Sequence, residues 1–215
     1  LYYYIMSPWL LLFGFDPIGP AVGVAILTSV ALLLQYLAVK DMINKETALI
    51  SVIFSTFSWA LIEYSRFSWN PNLLPQATLF SVYTLYKAVQ TKKLKYFIIH
   101  GLLLSIAIQL HYLALFLFPV SAIVLLQQFV IARKKKFEFI KKLTALAGSF
   151  LIPLSPFILF EVIHSFPNMK SVLRFSQENT SRNSMPFYNE LLDTLQSCYR
   201  FLLQMTPSPY LTAFV

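Results

Sequence analysis

Apolar residues along this chain come in long stretches separated by short polar segments, and the stretch lengths match a bilayer. A helix rising 1.5 Å per residue needs about 20 mostly apolar residues to cross the hydrocarbon core. Six stretches approach or reach that length: Ile18 to Val39, Thr47 to Tyr64, Leu73 to Val89, Tyr96 to Leu110, Tyr112 to Ala132 and Leu143 to Phe160. The fourth and fifth belong to one run of 37 residues, too long for a single crossing, and its polar middle (Gln109, His111) predicts a tight hairpin. Barrel strands alternate polar and apolar residues over about 10 positions. Runs such as Leu102-Leu103-Leu104 and Val124-Leu125-Leu126 break that alternation. The pattern predicts an all-α fold, a polytopic bundle of six transmembrane helices.

The flanking segments differ from the spans. Leu1 to Phe15 is aromatic but too short to cross, and Tyr and Trp favour the headgroup layer, so an interfacial helix on the outer leaflet is expected. Phe166 to Met185 is polar and rich in Asn and Ser, and reads as a loop. Tyr188 to Leu203 places Leu191, Leu192, Leu195, Tyr199 and Leu202 at helical spacing, an amphipathic helix. This divides the chain into a transmembrane core over residues 1–165 and an extracytoplasmic segment over 166–215. Opening at Leu1 without a Met or a signal sequence, and stopping in an apolar stretch, the chain reads as an internal piece of a longer polytopic protein.

Composition agrees. Hydrophobic residues make up 57% and charged residues 12%, which excludes a soluble domain of this length. The net charge of +8 would suit nucleic acid if its position were ignored, but 12 of the 17 Lys and Arg fall in three short loops: Lys40 and Lys45, Lys87 to Lys95, and Arg133 to Lys142. Six alternating spans put all three loops on one side, which the positive-inside rule makes cytoplasmic. Leu1 to Pro17 and Glu161 to Val215 then lie outside. The implied setting is the cell (inner, cytoplasmic) membrane, multi-pass, with the lipid bilayer as partner and no nucleic acid. The lone Cys198 has no disulfide partner and no metal-ligand spacing.

The richest polar stretch is Glu63 to Pro75. If helix continues past Tyr64, Glu63, Arg66 and Asn70 share a face. Asn70 is expected as N-cap, with Pro71 at the first helical position of the third span. The free N–H groups there, beside Arg66, would suit a phosphate. The plainer alternative is a capped helix with Arg66 snorkelling to the headgroups. His111 with Tyr112 sits at the outer hairpin, able to bond a phosphate or simply to anchor the turn. His100 reads as a packed core residue, and Pro119, Pro153 and Pro156 are expected to kink their spans. Glu161 and His164, at i and i+3, could face a common site. A metal there would lack a third ligand in sequence reach. Phosphate-binding, dinucleotide, zincin and serine-hydrolase motifs are absent, and Asn179-Thr180-Ser181 is only a formal glycosylation sequon. No Asp or Glu sits deep in a span, which counts against an ion-coupled transporter.

The run Ser65-Arg66-Phe67-Ser68-Trp69-Asn70-Pro71-Asn72-Leu73-Leu74-Pro75 resembles an outer loop of bacterial GT-C glycosyltransferases, the multi-spanning relatives of protein O-mannosyltransferases and the aminoarabinose transferase of lipid A. Leu1 to Asp16, Leu110-His111-Tyr112 and Phe160-Glu161…His164…Phe166-Pro167-Asn168 resemble further family segments in the same order. The resemblance implies transfer of a sugar from a polyprenyl-phosphate-linked donor to a lipid, glycan or protein acceptor at the outer face. It places the family's catalytic carboxylate upstream of Leu1. Asn70 stands at a position that is commonly Asp in relatives. Arg66, Asn70, His111, Tyr112, Glu161 and His164 are the substrate-binding candidates. No cofactor is firmly implied, and a divalent metal remains an option. The rival reading, a multi-spanning transporter or lipid flippase, predicts repeat symmetry and midplane charges that the sequence lacks; a membrane scaffold without catalysis is the blandest.

Overall fold

The structure, a computed structural model, describes residues 1–132 and 136–180 together with residue 192. The expected amphipathic helix from Tyr188 to Leu203, Cys198 and the arginine opening the third basic loop (Arg133) lie outside the described residues, apart from Leu192. Among the described residues every regular element is helical: α1 (Tyr2–Leu12), α2 (Ile18–Met42), α3 (Lys45–Thr56), α4 (Trp59–Tyr64), α5 (Leu74–Thr91), α6 (Leu94–Leu110), α7 (Leu117–Ile131), α8 (Lys136–Ile163) and α9 (Pro167–Thr180). Short 3-10 turns over Asn70–Leu73 and Tyr112–Phe116 lead into α5 and α7. Three helical stretches, Ile18–Met42, Tyr112–Ile131 and Lys136–Ile163, are long and apolar enough to cross a membrane, and α6 is a shorter apolar helix of 17 residues.

The chain divides into two units, the first formed by Leu1–Phe57 and Leu61–Pro156. Within it, neighbours run as antiparallel hairpins. Gln35 on α2 donates to Ser51 and Ser55 on α3, at 2.6 and 2.9 Å. His100 on α6 bonds back to Ser81 on α5 and forward to Ser121 on α7. By contrast α2 and α5 run parallel: Val24 shares a core with Leu73 and Ala77, while Asp41 meets Tyr83 and Lys87. The core has two apolar clusters, one around Met6, Val24, Leu73, Ala77, Ala107 and Leu110, the other around Leu85, Ala88, Phe97 and Leu125. Along α5, α6 and α7 the buried Ser81–His100–Ser121 set falls between them, every polar atom partnered, as a buried polar group requires.

Local chemistry explains the helix boundaries. Asn44 caps α3 by accepting from the Thr47 N–H at 2.8 Å. Gly19 and Gly23 let α1 lie close on α2, since a Cβ on either would come within 2.5 Å of Trp9. Pro156 removes the N–H that would bond the Ile152 carbonyl, and Ser155 Oγ donates to that carbonyl instead, at 2.8 Å.

Three expectations need correcting. The second stretch, Thr47 to Tyr64, is not one helix: α3 ends at Thr56 and α4 starts at Trp59. Thr56 Oγ1 donates back to Val52 O, while the nearby Ser51 and Ser55 hydroxyls accept from Gln35 on α2. Asn70 is not an N-cap. Trp69 holds that position in extended backbone, and Asn70's side chain points elsewhere. Finally, Phe166 to Met185 does not begin as a loop, because α9 occupies Pro167–Thr180.

Candidate functional site

The basic loops gather at one end of the first unit. Lys87 Nζ donates to Asp41 Oδ2 at 2.8 Å, which joins the α2–α3 turn to the end of α5. Lys92 and Lys142 line a common cavity, which brings the start of α8 there too. At the opposite end, Tyr2 and Ser68 share a hydrogen bond of 2.8 Å, and Asn70 Nδ2 donates to the Leu110 carbonyl at 2.6 Å. That carbonyl belongs to the last turn of α6 and has no helical partner, so Asn70 serves as its cap. Asn72 ties the same loop to itself by donating to Phe67 O at 2.9 Å.

These bonds hold open a cleft of about 590 Å³ lined by Leu1, Tyr2, Tyr3, Met6, Ser7, Leu10, Pro20, Ser68, Trp69, Asn70 and Gln109. One wall is the aromatic face of α1, the other the Ser68-Trp69-Asn70 strip. Gln109 closes the floor, its amide donating to Ser105 O at 3.1 Å and Pro153 O at 3.2 Å. Burial raises the Tyr2 phenol above its usual pKa, so it stays a neutral hydroxyl at physiological pH. Among the described residues the lining combines aromatic surface, hydroxyls and amide groups and contains no carboxylate. Such a surface suits a hydroxylated ring whose faces stack and whose oxygens accept and donate hydrogen bonds.

The family model described as dolichyl-phosphate-mannose-protein mannosyltransferase matches residues 1–160. The chain belongs to that family. Its members are membrane glycosyltransferases that use polyprenyl-phosphate sugar donors, and the apolar helices supply the membrane setting. A transporter or flippase is therefore not favoured. Compared with curated proteins and with solved structures, the chain has no match.

Within this family member the sequence-predicted residues separate. Asn70 lines the cleft. Arg66 does not; it lies two residues before Ser68, its side chain 74% exposed and 3.9 Å from Glu63. His111 is at the same end, beside Leu110, where its Nδ1 accepts from the Leu113 N–H at 3.2 Å. The Tyr112 ring lies against it, tilted by 31° with ring centroids 4.3 Å apart. Asp16 accepts from the Ile18 N–H and so helps start α2. In the second unit, of which residues 58–60, 157–180 and 192 are described, Glu161 is buried, and both carboxylate oxygens accept from the first turn of α9. His164 Nδ1 bonds Phe160 O at 2.9 Å, and its ring stacks on Phe160. Among the described residues no group of three metal-ligating side chains occurs. Sequence reasoning missed Tyr2, Ser68, Trp69 and Gln109 as members of one cleft. The available signal was a glutamine one residue from the end of an otherwise apolar helix.

Proposed function

We propose that this chain forms part of an integral membrane glycosyltransferase that moves a sugar from a polyprenyl-phosphate-linked donor to an acceptor at the extracytoplasmic face. The observation that carries the proposal is the cleft at the end of the first unit remote from the basic loops. With the basic loops cytoplasmic, the cleft opens where a polyprenyl donor presents its sugar at the outer surface. The six apolar stretches are read as spans, with α1 lying in the outer interface.

Within this reading, Trp69 and Tyr3 stack against the sugar, Asn70 and Gln109 accept from its hydroxyls, and Arg66 and His111 contact the donor phosphate. The acceptor's hydroxyl oxygen attacks the anomeric carbon, the bond from that carbon to the phosphate oxygen breaks, and polyprenyl phosphate departs. The hydroxyl proton passes to a carboxylate, which the described residues of the cleft lining do not supply. The cation beside the phosphate stabilises the leaving group. A single displacement inverts the anomeric centre, so a product with retained configuration would exclude it.

The test is sugar transfer by the full-length protein in proteoliposomes supplied with a polyprenyl-phosphate sugar. An acceptor that gains the mass of the sugar supports the proposal, whereas lipid moved between leaflets at unchanged mass overturns it. Replacing Arg66 by Ala removes a charge-assisted hydrogen bond and should raise the donor KM roughly 10- to 150-fold. An unchanged KM and kcat would remove Arg66 from the site.

A further inference from the structure

A second cavity lies at the basic end of the first unit, away from the cleft. It measures about 260 Å³ and sits where the last turns of α5 and α7 meet the first turns of α6 and α8. Its floor is apolar, formed by Ala88 and Phe97, each 1% exposed, together with Phe139. Its rim is polar, with Lys92, Lys142 and Glu138.

Neither lysine is engaged by a carboxylate among the described residues. Among the described residues the ion pairs are Arg66–Glu63 and Lys87–Asp41. Lys92 also occupies left-handed backbone, with φ of 56°, where glycine would sit without steric cost. Beside the cavity, α7 turns Ile123, Leu126 and Val130 outward, all about two-thirds exposed and spaced i, i+3, i+7. They make one apolar lane leading to the rim.

We infer that this cavity binds the headgroup of an anionic phospholipid from the leaflet on the basic side. The phosphodiester lies between Lys92 and Lys142, and the acyl chains follow the α7 lane. Among the described residues nine lysines of the three basic loops (Lys40, Lys45, Lys87, Lys92, Lys93, Lys95, Lys136, Lys141 and Lys142) belong to this end, so an anionic headgroup is matched by the wider field as well as by the two ammonium groups. Glu138 brings the rim charge to +1 and accepts a hydrogen bond from a headgroup hydroxyl, which selects a glycerol-type headgroup over choline. The inference does not depend on sugar transfer.

Its test is native mass spectrometry of the full-length protein released from nanodiscs of phosphatidylcholine mixed with phosphatidylglycerol. The wild type should retain phosphatidylglycerol under activation that strips phosphatidylcholine. Lys92→Gln with Lys142→Gln should lower that retention about tenfold or more, since each lysine near a headgroup contributes a several-fold preference. Lys92→Arg with Lys142→Arg should keep it, as should Lys40→Gln with Lys45→Gln, which removes equal charge outside the cavity. Equal retention of both lipids by the wild type, or no loss in the double Gln variant, overturns the inference. In discs of phosphatidylcholine alone, inorganic phosphate that shields Lys92 and Lys142 from amine acetylation as well as phosphatidylglycerol does would assign the site to free phosphate and overturn the lipid.

Discussion

Glu161 joins two helices through two different groups. Its backbone carbonyl accepts from the Phe166 N–H at 2.7 Å while Ser165 N–H bonds Val162 O, so α8 ends in a Schellman turn with Ser165 at φ 60°. Its carboxylate then accepts from the backbone N–H groups of Asn168 and Met169, both at 3.3 Å, and from the Asn168 side chain. Replacing Glu161 by Gln keeps the shape but turns one acceptor oxygen into an NH₂ that faces a donor. It also removes a negative charge from the positive end of α9. A lost N-terminal cap costs about 0.5–2 kcal/mol, and the charge contributes about 0.3–1 kcal/mol. We expect α9 to open more easily by about 1–2 kcal/mol, which is roughly 5- to 30-fold faster amide exchange. The amides to follow are those of Val172 and Leu173, measured by hydrogen exchange with mass spectrometry on the full-length protein, with α6 amides as internal control. Unchanged exchange in α9 together with lost sugar transfer would refute the capping argument and make Glu161 a participant in the chemistry.

Two further predictions bear on the first unit. Asn70→Leu leaves the Leu110 carbonyl without its donor in a residue only 2% exposed, at a cost of about 1–3 kcal/mol and a Tm lower by about 2–12 °C; Asn70→Asp should fare no better, because a carboxylate cannot donate. A Tm equal to wild type in both variants would mean that the bond contributes nothing to stability. For sidedness, Ile43→Cys and Tyr112→Cys, both at well-exposed positions, are made in a Cys198→Ser background. A membrane-impermeant maleimide added to intact cells should modify position 112 alone, and labelling of position 43 would reverse the orientation.

Where sequence alone sufficed, the physics was local or cumulative. The turn at His111 is marked by Gln109 and His111 in the middle of a largely apolar run of 37 residues, and the structure breaks the helix there. The clustering of the lysine loops followed from alternation, and the Asp41–Lys87 pair joins two of them directly. Where it failed, a partner distant in the chain or a competing side chain decided the matter. Asn70 followed by Pro71 has the composition of a cap, yet its amide is drawn to a carbonyl 40 residues away. The break after Thr56 falls where no Gly or Pro marks it, with Thr56 Oγ1 donating back to Val52 O. The start of α9 was hidden by its polar composition, although Pro167 at its first position and Phe166, Met169 and Leu173 at helical spacing carried a usable signal. The cleft itself was not legible, since it needs α1, the Ser68–Asn70 strip and Gln109 at one place.

The latch between Tyr2 and Ser68 has a meaning for biosynthesis. Its two halves are separated by 66 residues, so at the usual rate of 5–20 residues per second the aromatic α1 waits about 3–13 s on the ribosome before its partner exists. Another 40 residues, about 2–8 s, pass before Asn70 finds Leu110. During that interval α1 has α2 to pack on through Gly19 and Gly23, but its Tyr2 edge has lipid, insertion machinery or chaperones as its other company. Slowing of the chain between Ser68 and Leu110, by codon choice or by a stalled translocon, would lengthen the period in which α1 can be lost to the wrong surface.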